Sequence, residues 1–323
     1  MLRILGTAAV RPARIVTSAE LDAVHGREPG TSHARSGVSE RAWAGTETAS
    51  ELGAQALGQA LATAGVEAGE LDAVIGASAV PEQPMPTTAV LVARRLGLAG
   101  LAAFDVNASC LSLLTALDMA GLGLAAGRWR RVAIVSSEIA SVGLVKQEAE
   151  TGSLFGDGAA AVVLGPSGDG SELLGVRTQA FPDGARTCQI LAGGTRFNIT
   201  NPPPSERDYL FRMDSYGIVR ATVAALPGFV DEFLASVRLS RDEIDLLVPH
   251  QTSGLGMRYL RKRLGFADQT IVDILASHGN QVAASLPTAL HTAIESGRLR
   301  RGQIAMLLGT GAGLVVGAAA LRY

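Results

Sequence analysis

The sequence predicts an α/β protein built from two similar halves, and three observations lead to this prediction. Short apolar runs, typical of strands buried on both faces, alternate with longer helical stretches along the chain. Segments of the first half recur in the same order in the second half. The 323 residues, 47% of them hydrophobic and 18% charged, suffice for one large domain or two of ordinary size.

Individual strands and helices can be assigned from these runs. The apolar runs AVIGASA, RVAIVSS, AAAVVLG, IDLLVPH and QIAMLLG predict buried strands. Helices are predicted over 48–64, 87–96, 110–127, 219–237, 254–264 and 285–297. A Gly/Ser-rich stretch at 165–172 predicts the boundary between an N-terminal half, 1–166, and a C-terminal half, 167–323. In such sheets, chemistry lies at the carboxyl ends of the strands.

The internal repeat is carried by three matched segments. GELDAVIGAS (69–78) resembles DEIDLLVPHQ (242–251), with Asp72 and Asp245 in register 173 residues apart. FDVNAS (104–109) resembles VDILAS (272–277), and LTALDMAG parallels PTALHTAI at the 173-residue offset. Any α/β protein repeats apolar strands and Ala-rich helices, but that does not explain the matched order and spacing. We therefore expect a duplication.

Composition narrows the functional classes. A net charge of −2 gives the whole chain no attraction to nucleic acid. Two cysteines cannot form a disulfide framework, and no Cys/His cluster has zinc-ligand spacing, so a reducing, cytoplasmic compartment is expected. No signal peptide or membrane-spanning run is apparent.

Cys110 lies where a predicted strand meets a predicted helix. The helix dipole and the free N–H groups of a helix N-terminus favour negative charge, so we expect the thiol to be biased toward the thiolate and to act as a nucleophile. The alternative is a small apolar core residue, because free cysteine is often buried. Cys188 has no partner motif and is interpreted as structural.

The second half places polar residues where they could reach that thiol. His250 ends the strand that repeats AVIGASA, and Asn280 falls where the repeat places the Cys110 loop. If the halves pack with two-fold symmetry, the three side chains approach one another. The turn GTGAG (309–313) offers backbone N–H groups to a developing oxyanion, or it is a plain turn between strands.

Several motifs together identify a resemblance. ILGTAAVRP, RSGVSERAWA, NASC, SLFGDGAAAVVL, VPHQTS, HGNQVAASLPTAL and GTGAGLVVGAAAL resemble the thiolase-like condensing enzymes, specifically beta-ketoacyl-ACP synthase III and its relatives. The resemblance implies a duplicated, five-layered α/β/α/β/α fold. It implies a Cys-His-Asn triad of Cys110, His250 and Asn280, an oxyanion hole of the Cys110 and Ala312 N–H groups, and substrate binding by Arg35, Met85 and Ser253. It implies no metal or redox cofactor.

The implied activity is condensation of two thioesters. Cys110 takes an acyl group from CoA or a carrier protein, and a malonyl thioester then loses carbon dioxide and attacks that acyl group. The resemblance also implies a homodimer, for which we expect the strand after the Cys110 helix to pair across the two-fold axis. A basic cluster, RYLRKRLG (258–265), is expected to dock an acyl carrier protein, although such clusters are also typical of solvated helix faces.

The chain departs from the family at the donor site. Thr31 stands where a Trp clamps CoA adenine, and two further family Arg positions fall near Ala149 and Leu255. Three alternatives therefore remain: an acyltransferase of the same fold, a non-decarboxylative head-to-head condensation, and a non-catalytic partner subunit. The head-to-head relatives use a glutamate base from the Met85 loop, where Glu82 is nearby but displaced.

Overall fold

The computed structural model describes residues 2–323. The strands are β1 (Leu2–Val10), β2 (Ile15–Thr17), β3 (Glu40–Ala42), β4 (Ala73–Gly76), β5 (Ala102–Asp105), β6 (Val132–Glu138), β7 (Gly158–Pro166), β8 (Glu172–Ala180), β9 (Cys188–Gln189), β10 (Arg212–Met213), β11 (Leu246–Pro249), β12 (Ile304–Gly311) and β13 (Val315–Arg322). The helices are α1 (Ser18–Val24), α2 (Thr31–Ser36), α3 (Ala49–Ala64), α4 (Thr88–Arg95), α5 (Ser112–Ala125), α6 (Ser215–Val237), α7 (Gly254–Arg263), α8 (Leu275–His278) and α9 (Ser285–Glu295).

Two sheets of matching order confirm the duplication. The first runs β1-β7-β6-β4-β5 and the second β8-β13-β12-β11, so each strand of the second sheet has a counterpart in the first. The repeated aspartates make equivalent hydrogen bonds. Asp72 Oδ2 accepts from the N–H of Arg131 at 2.9 Å, and Asp245 Oδ2 accepts from the N–H of Ile304 at 2.7 Å. Arg131 directly precedes β6 and Ile304 begins β12, and the two residues are again 173 apart.

Five layers result from how the helices cover the sheets. The helices α5 and α9 lie between the sheets: α5 packs on β6 and on β8, and α9 packs on β1 and on β11. The outer layers are α3 and α4 on the first sheet and α6 on the second, and α7 packs into the same outer core cluster as α6. The helix α5 is apolar nearly all round because it is sandwiched; Leu113, Leu114 and Leu117 are fully buried. The predicted α/β/α/β/α fold is confirmed.

One expectation about the sheet is wrong. The strand after the Cys110 helix is β6, which lies between β7 and β4 and has no free edge to pair with a second chain. The edge strand of this sheet is β5, which directly precedes the Cys110 loop and pairs only with β4. In the second sheet the counterpart of β5 is reduced to a single bridge between Leu247 and Ile271.

Within residues 2–323, none of the helices combines the length and the apolar character that a membrane crossing requires.

Candidate active site

A tight turn presents Cys110 at the start of α5. Ser109 has a φ of 53°, in the left-handed region, and its N–H donates to Asn107 Oδ1 at 3.0 Å. The Ser112 hydroxyl donates to the Ser109 carbonyl at 2.7 Å and accepts from the Ala108 N–H at 3.0 Å. These bonds fix the backbone on both sides of the cysteine, which precedes Leu111, the N-cap of α5.

The thiol is not biased toward the thiolate, contrary to the expectation from its helix position. Burial, with smaller contributions from the charges of Cys188 and Glu138, raises the pKa of Cys110 to about 12. The N–H groups of Cys110 and Ala312 act in the opposite direction and lower the pKa. The loss of hydration therefore exceeds the gain from the helix terminus, and the resting residue is a neutral thiol.

His250 follows β11 directly and lies against the Cys110 segment. It is 2% exposed, its Nδ1 has no hydrogen-bond partner within residues 2–323, and burial lowers its pKa to about 4. A Cβ built on Gly309 of β12 would lie 2.8 Å from the His250 Cβ and 2.9 Å from the Leu111 Cδ2. Only glycine at this point lets the two segments approach so closely.

Asn280 is fixed by both its backbone and its side chain. Its N–H donates to Leu154 at 2.9 Å, and its carbonyl accepts from Gly156 at 3.1 Å. The side-chain Nδ2 donates to the Thr252 carbonyl at 3.1 Å, which ties it to the His250 loop, and Oδ1 accepts from the Val282 N–H at 2.9 Å. One hydrogen of the Nδ2 amide remains for a further acceptor.

The turn between β12 and β13 carries Ala312, whose N–H is one of the two that lower the pKa of Cys110. The two donors near the sulfur thus come from opposite halves of the chain. The structure brings together the four segments that carry Cys110, His250, Asn280 and Ala312; the catalytic roles of these residues stay predictions.

The three substrate-binding candidates lie in two places. Arg35 is exposed on α2, and Ser253 is the N-cap of α7, accepting from the Gly256 N–H at 3.2 Å. Gly37, with a φ of 80°, touches Gly254 so closely that a Cβ on it would lie 2.7 Å from the Gly254 Cα, so these two candidates are neighbours. Met85 lies apart from them, with 83% of its surface exposed.

Glu82 is not aimed at the thiol. Its Oε2 accepts from the N–H of Ser50 at 2.6 Å, at the start of α3. The acidic residue that does act on Cys110 is Glu138, the last residue of β6, which is 1% exposed. Sequence reasoning missed it, although a glutamate ending the apolar run RVAIVSSE was a visible signal.

Comparison with known proteins gives consistent matches along the chain. Residues 104–182 match the family model for 3-oxoacyl-[acyl-carrier-protein (ACP)] synthase III, and residues 234–323 match the model for its C-terminal part. The chain is 35% identical to beta-ketoacyl-[acyl-carrier-protein] synthase III of Acidiphilium cryptum (strain JF-5), covering 98% of each chain. It is 34% identical to the synthase of the same name from Thiobacillus denitrificans (strain ATCC 25259 / T1), covering 99% of each. The crystal structure of 3-oxoacyl-[acyl-carrier-protein] synthase III from Aquifex aeolicus VF5 superposes with a TM-score of 0.91 at 29% identity, covering 100% of both chains.

Proposed function

Because this chain belongs to the 3-oxoacyl-[acyl-carrier-protein] synthase III family, we propose that it condenses an acyl thioester with a malonyl thioester to give a 3-oxoacyl thioester. It is an acyltransferase of the thiolase-like class. The observation that carries the proposal is a half-buried thiol with two backbone N–H groups beside it, one from each half of the chain.

In the first half-reaction, Cys110 exchanges thioesters. The sulfur bonds to the acyl carbonyl carbon while its proton passes to His250, whose imidazole is neutral at rest because burial lowers its pKa to about 4. The N–H groups of Cys110 and Ala312 stabilise the tetrahedral oxyanion. The tetrahedral intermediate then breaks its bond to the donor thiolate, which takes the proton back and leaves as a free thiol.

In the second half-reaction, a malonyl thioester loses carbon dioxide. The electron pair of the broken C–C bond becomes an enolate, whose oxygen accepts hydrogen bonds from His250 and Asn280. The enolate carbon attacks the acyl carbonyl on Cys110 and expels the Cys110 thiolate, which takes up one proton from solvent. Because the Asn280 amide has a hydrogen to spare beyond its bond to Thr252, it can serve the enolate without losing its anchor.

The proposed donors are acyl-CoA or an acyl group on a carrier protein. Arg35 and Ser253, which lie near the close approach of Gly37 to Gly254, are the proposed contacts to the donor. With Thr31, Ala149 and Leu255 at three family contact positions, we favour delivery by a carrier protein. On α7, Arg261 forms ion pairs with two carboxylates: its Nε lies 2.6 Å from Asp268 Oδ1 and its Nη2 lies 2.9 Å from Asp273 Oδ2. We therefore propose that an acidic carrier protein binds the other exposed cations of this helix, Arg258, Lys262 and Arg263.

The proposed assembly is a homodimer paired through β5. This strand has one unpaired edge and an apolar sequence, AAFD, whose residues are all half-buried in the single chain. Exposed Met85 is proposed to cross that interface and line the partner's acyl pocket. We also propose that the N-terminal half ends at residue 166 and the C-terminal half begins at 167, because the last strand of the first sheet ends at Pro166. The two free cysteines support a reducing compartment, so we propose that the protein works in the cytoplasm.

Two other activities use the same nucleophile. An acyltransferase to a hydroxyl or amine needs Cys110 and a base but no enolate donor, so the anchored Asn280 favours condensation. A head-to-head condensation needs a base near the acyl group, and the engagement of Glu82 with Ser50 disfavours it. A non-catalytic subunit would not need the four converging segments.

The test separates the two half-reactions. Asn280→Ala should keep most of the acyl loading, measured by intact mass, yet lose malonyl decarboxylation by about 10²–10³-fold, the scale of one lost oxyanion donor. Cys110→Ser is the control that should lose the adduct itself. If Asn280→Ala releases labelled carbon dioxide at the parent rate, the decarboxylating mechanism fails and the acyltransferase takes its place.

A further inference from the structure

Glu138 is a buried acid that the proposed mechanism leaves unused. It ends β6, is 1% exposed, and its Oε2 has no hydrogen-bond partner within residues 2–323. Its Oε1 accepts from the N–H of Ala79, in the loop after β4. A buried carboxyl group with one oxygen unpaired costs stability, which calls for a function.

Its contacts connect the two loops that carry the chemistry. On one side, the Ala79 peptide continues the chain of hydrogen bonds, because its carbonyl accepts from Asn107 Nδ2 at 2.8 Å. Asn107 Oδ1 in turn accepts from the N–H of Ser109, the residue before Cys110.

On the other side, β6 packs against residues 282–284, and the nearby N–H groups of Val80 and Ala283 lower the pKa of Glu138 without a hydrogen bond to Oε2. Ala283 follows Val282, whose N–H holds Asn280 Oδ1 at 2.9 Å. One carboxyl group is thus hydrogen-bonded through Ala79 and Asn107 to the Cys110 loop of the first half, and its strand packs against the Asn280 loop of the second.

We infer that Glu138 is a positioning residue, which holds the Cys110 loop and the Asn280 loop in register across the boundary between the two halves. Its catalytic consequence rests on the proposed function, because only condensation uses both loops. The link to Cys110 does not depend on that function.

The ionisation of Glu138 gives the inference a distinctive readout. Burial, which outweighs the opposing effect of the Ala79, Val80 and Ala283 N–H groups, raises the pKa of Glu138 to about 8, with a smaller contribution from the charge of Asp157. Of the segments packed against the end of β6, the loop before α5 contributes Cys110 and the loop before β7 contributes Asp157. Residues 77–80 and 281–284 carry no titratable side chain, and on α3 the Glu51 carboxylate pairs with Arg95.

Ionisation of Glu138 should lower the reactivity of the Cys110 thiol. Below about pH 8 Glu138 is neutral, and above it a negative charge forms near Cys110 and disfavours the thiolate. Glu138→Gln keeps the shape and an acceptor for Ala79 but stays neutral at every pH. This variant should therefore show the effect of the negative charge of Glu138 separately from the effect of its hydrogen bond to Ala79.

The experiment measures iodoacetamide alkylation of Cys110 against pH in a Cys188→Ser background. At pH 6.5 the parent and Glu138→Gln should react at equal rates, and at pH 9.5 Glu138→Gln should react about 3- to 10-fold faster, as expected for one charge removed nearby. Equal rates at both pH values would overturn the inference. This arm needs no turnover, so it stands even if the parent releases no carbon dioxide and the proposed function fails.

The positioning itself is tested by Glu138→Ala, which removes the acceptor for Ala79. Malonyl decarboxylation should fall about 10²-fold, the cost of a misplacement near 1 Å, while acyl loading falls less. Ser136→Ala is the matched control, because its buried hydroxyl on the same strand also lacks a partner within the described residues and should change the rate less than twofold. Equal losses in both variants would contradict the inference, and if Glu138→Ala does not fold, the Glu138→Gln profile still decides.

Discussion

The contact of Gly309 with His250 and Leu111 can be tested by adding one methyl group. In Gly309→Ala, the new Cβ would lie 2.8 Å from the His250 Cβ and 2.9 Å from the Leu111 Cδ2. Leu111 can rotate away, but the His250 Cβ is fixed to a backbone whose N–H donates to Leu308 at 2.8 Å. Such overpacking costs about 1–3 kcal/mol.

The neighbouring Gly311 supplies a matched control. A Cβ there would meet its nearest atom, Leu111 Cγ, at 3.5 Å, which is an ordinary contact. Both glycines lie on β12, and neither has a left-handed φ. Both Ala variants therefore gain the same stabilisation from a less flexible unfolded chain, about 0.4–1 kcal/mol. The difference between the two variants isolates the overpacking.

Urea denaturation measures that difference. We expect Gly309→Ala to unfold at a lower urea concentration than the parent, and Gly311→Ala at an equal or slightly higher one. In the same protein, His250 is displaced, so decarboxylation should fall about 10²-fold. Equal midpoints for the two variants would refute the reasoning, because the close approach of the His250 and Cys110 segments would then not depend on glycine.

Two further predictions concern pH and chain length. Acyl loading of Cys110 should be nearly independent of pH between 5 and 7 and should fall as the pH drops through about 4. The reason is that the lowered pKa of His250 keeps its imidazole neutral above that value. Intact mass at a fixed reaction time measures the loading, and a fall centred near pH 6.5 would contradict the role of His250 as proton acceptor. Met85→Phe should shorten the acyl chains that load best, because a bulkier side chain fills the partner's pocket; an unchanged chain-length profile, or a monomer in light scattering at micromolar concentration, would remove Met85 from the site.

The helices were predictable because their signals are local. The predicted 48–64 and 254–264 correspond to Ala49–Ala64 and Gly254–Arg263, since caps and Gly stops lie within the segments themselves. In α3, for example, Thr48 and Glu51 form a capping box and Gly65 ends the helix in the left-handed conformation. The short pairs β2–β3 and β9–β10 were not predictable, because two or three residues become a strand only when a distant segment pairs with them.

In the candidate site, too, features set by neighbouring residues were predictable and features set by distant residues were not. Cys110 at a helix start and His250 at a strand end could be located from the sequence, since both positions depend on neighbouring residues. The protonation state of Cys110 could not, because it is set by burial and by Glu138 and Cys188, which only the tertiary fold brings near. The inferred role of Glu138 at the end of β6 was hidden for the same reason, because Ala79, which donates to it, and Ala283, which lowers its pKa, come from opposite halves.

The burial that raises the pKa of Cys110 also strengthens the hydrogen bonds that the proposed reaction would use. A neutral thiol beside a neutral imidazole carries no charge into the closed site, so desolvation costs little until the substrate arrives. Once the oxyanion forms, the same exclusion of water strengthens its bonds to the Cys110 and Ala312 N–H groups. Those donors come from opposite halves, as do Cys110 and Asn280, so neither half alone could assemble the site. The proposed catalytic site therefore lies at the proposed boundary between the two halves, which is why we infer that a residue near both loops, such as Glu138, positions the groups on both sides.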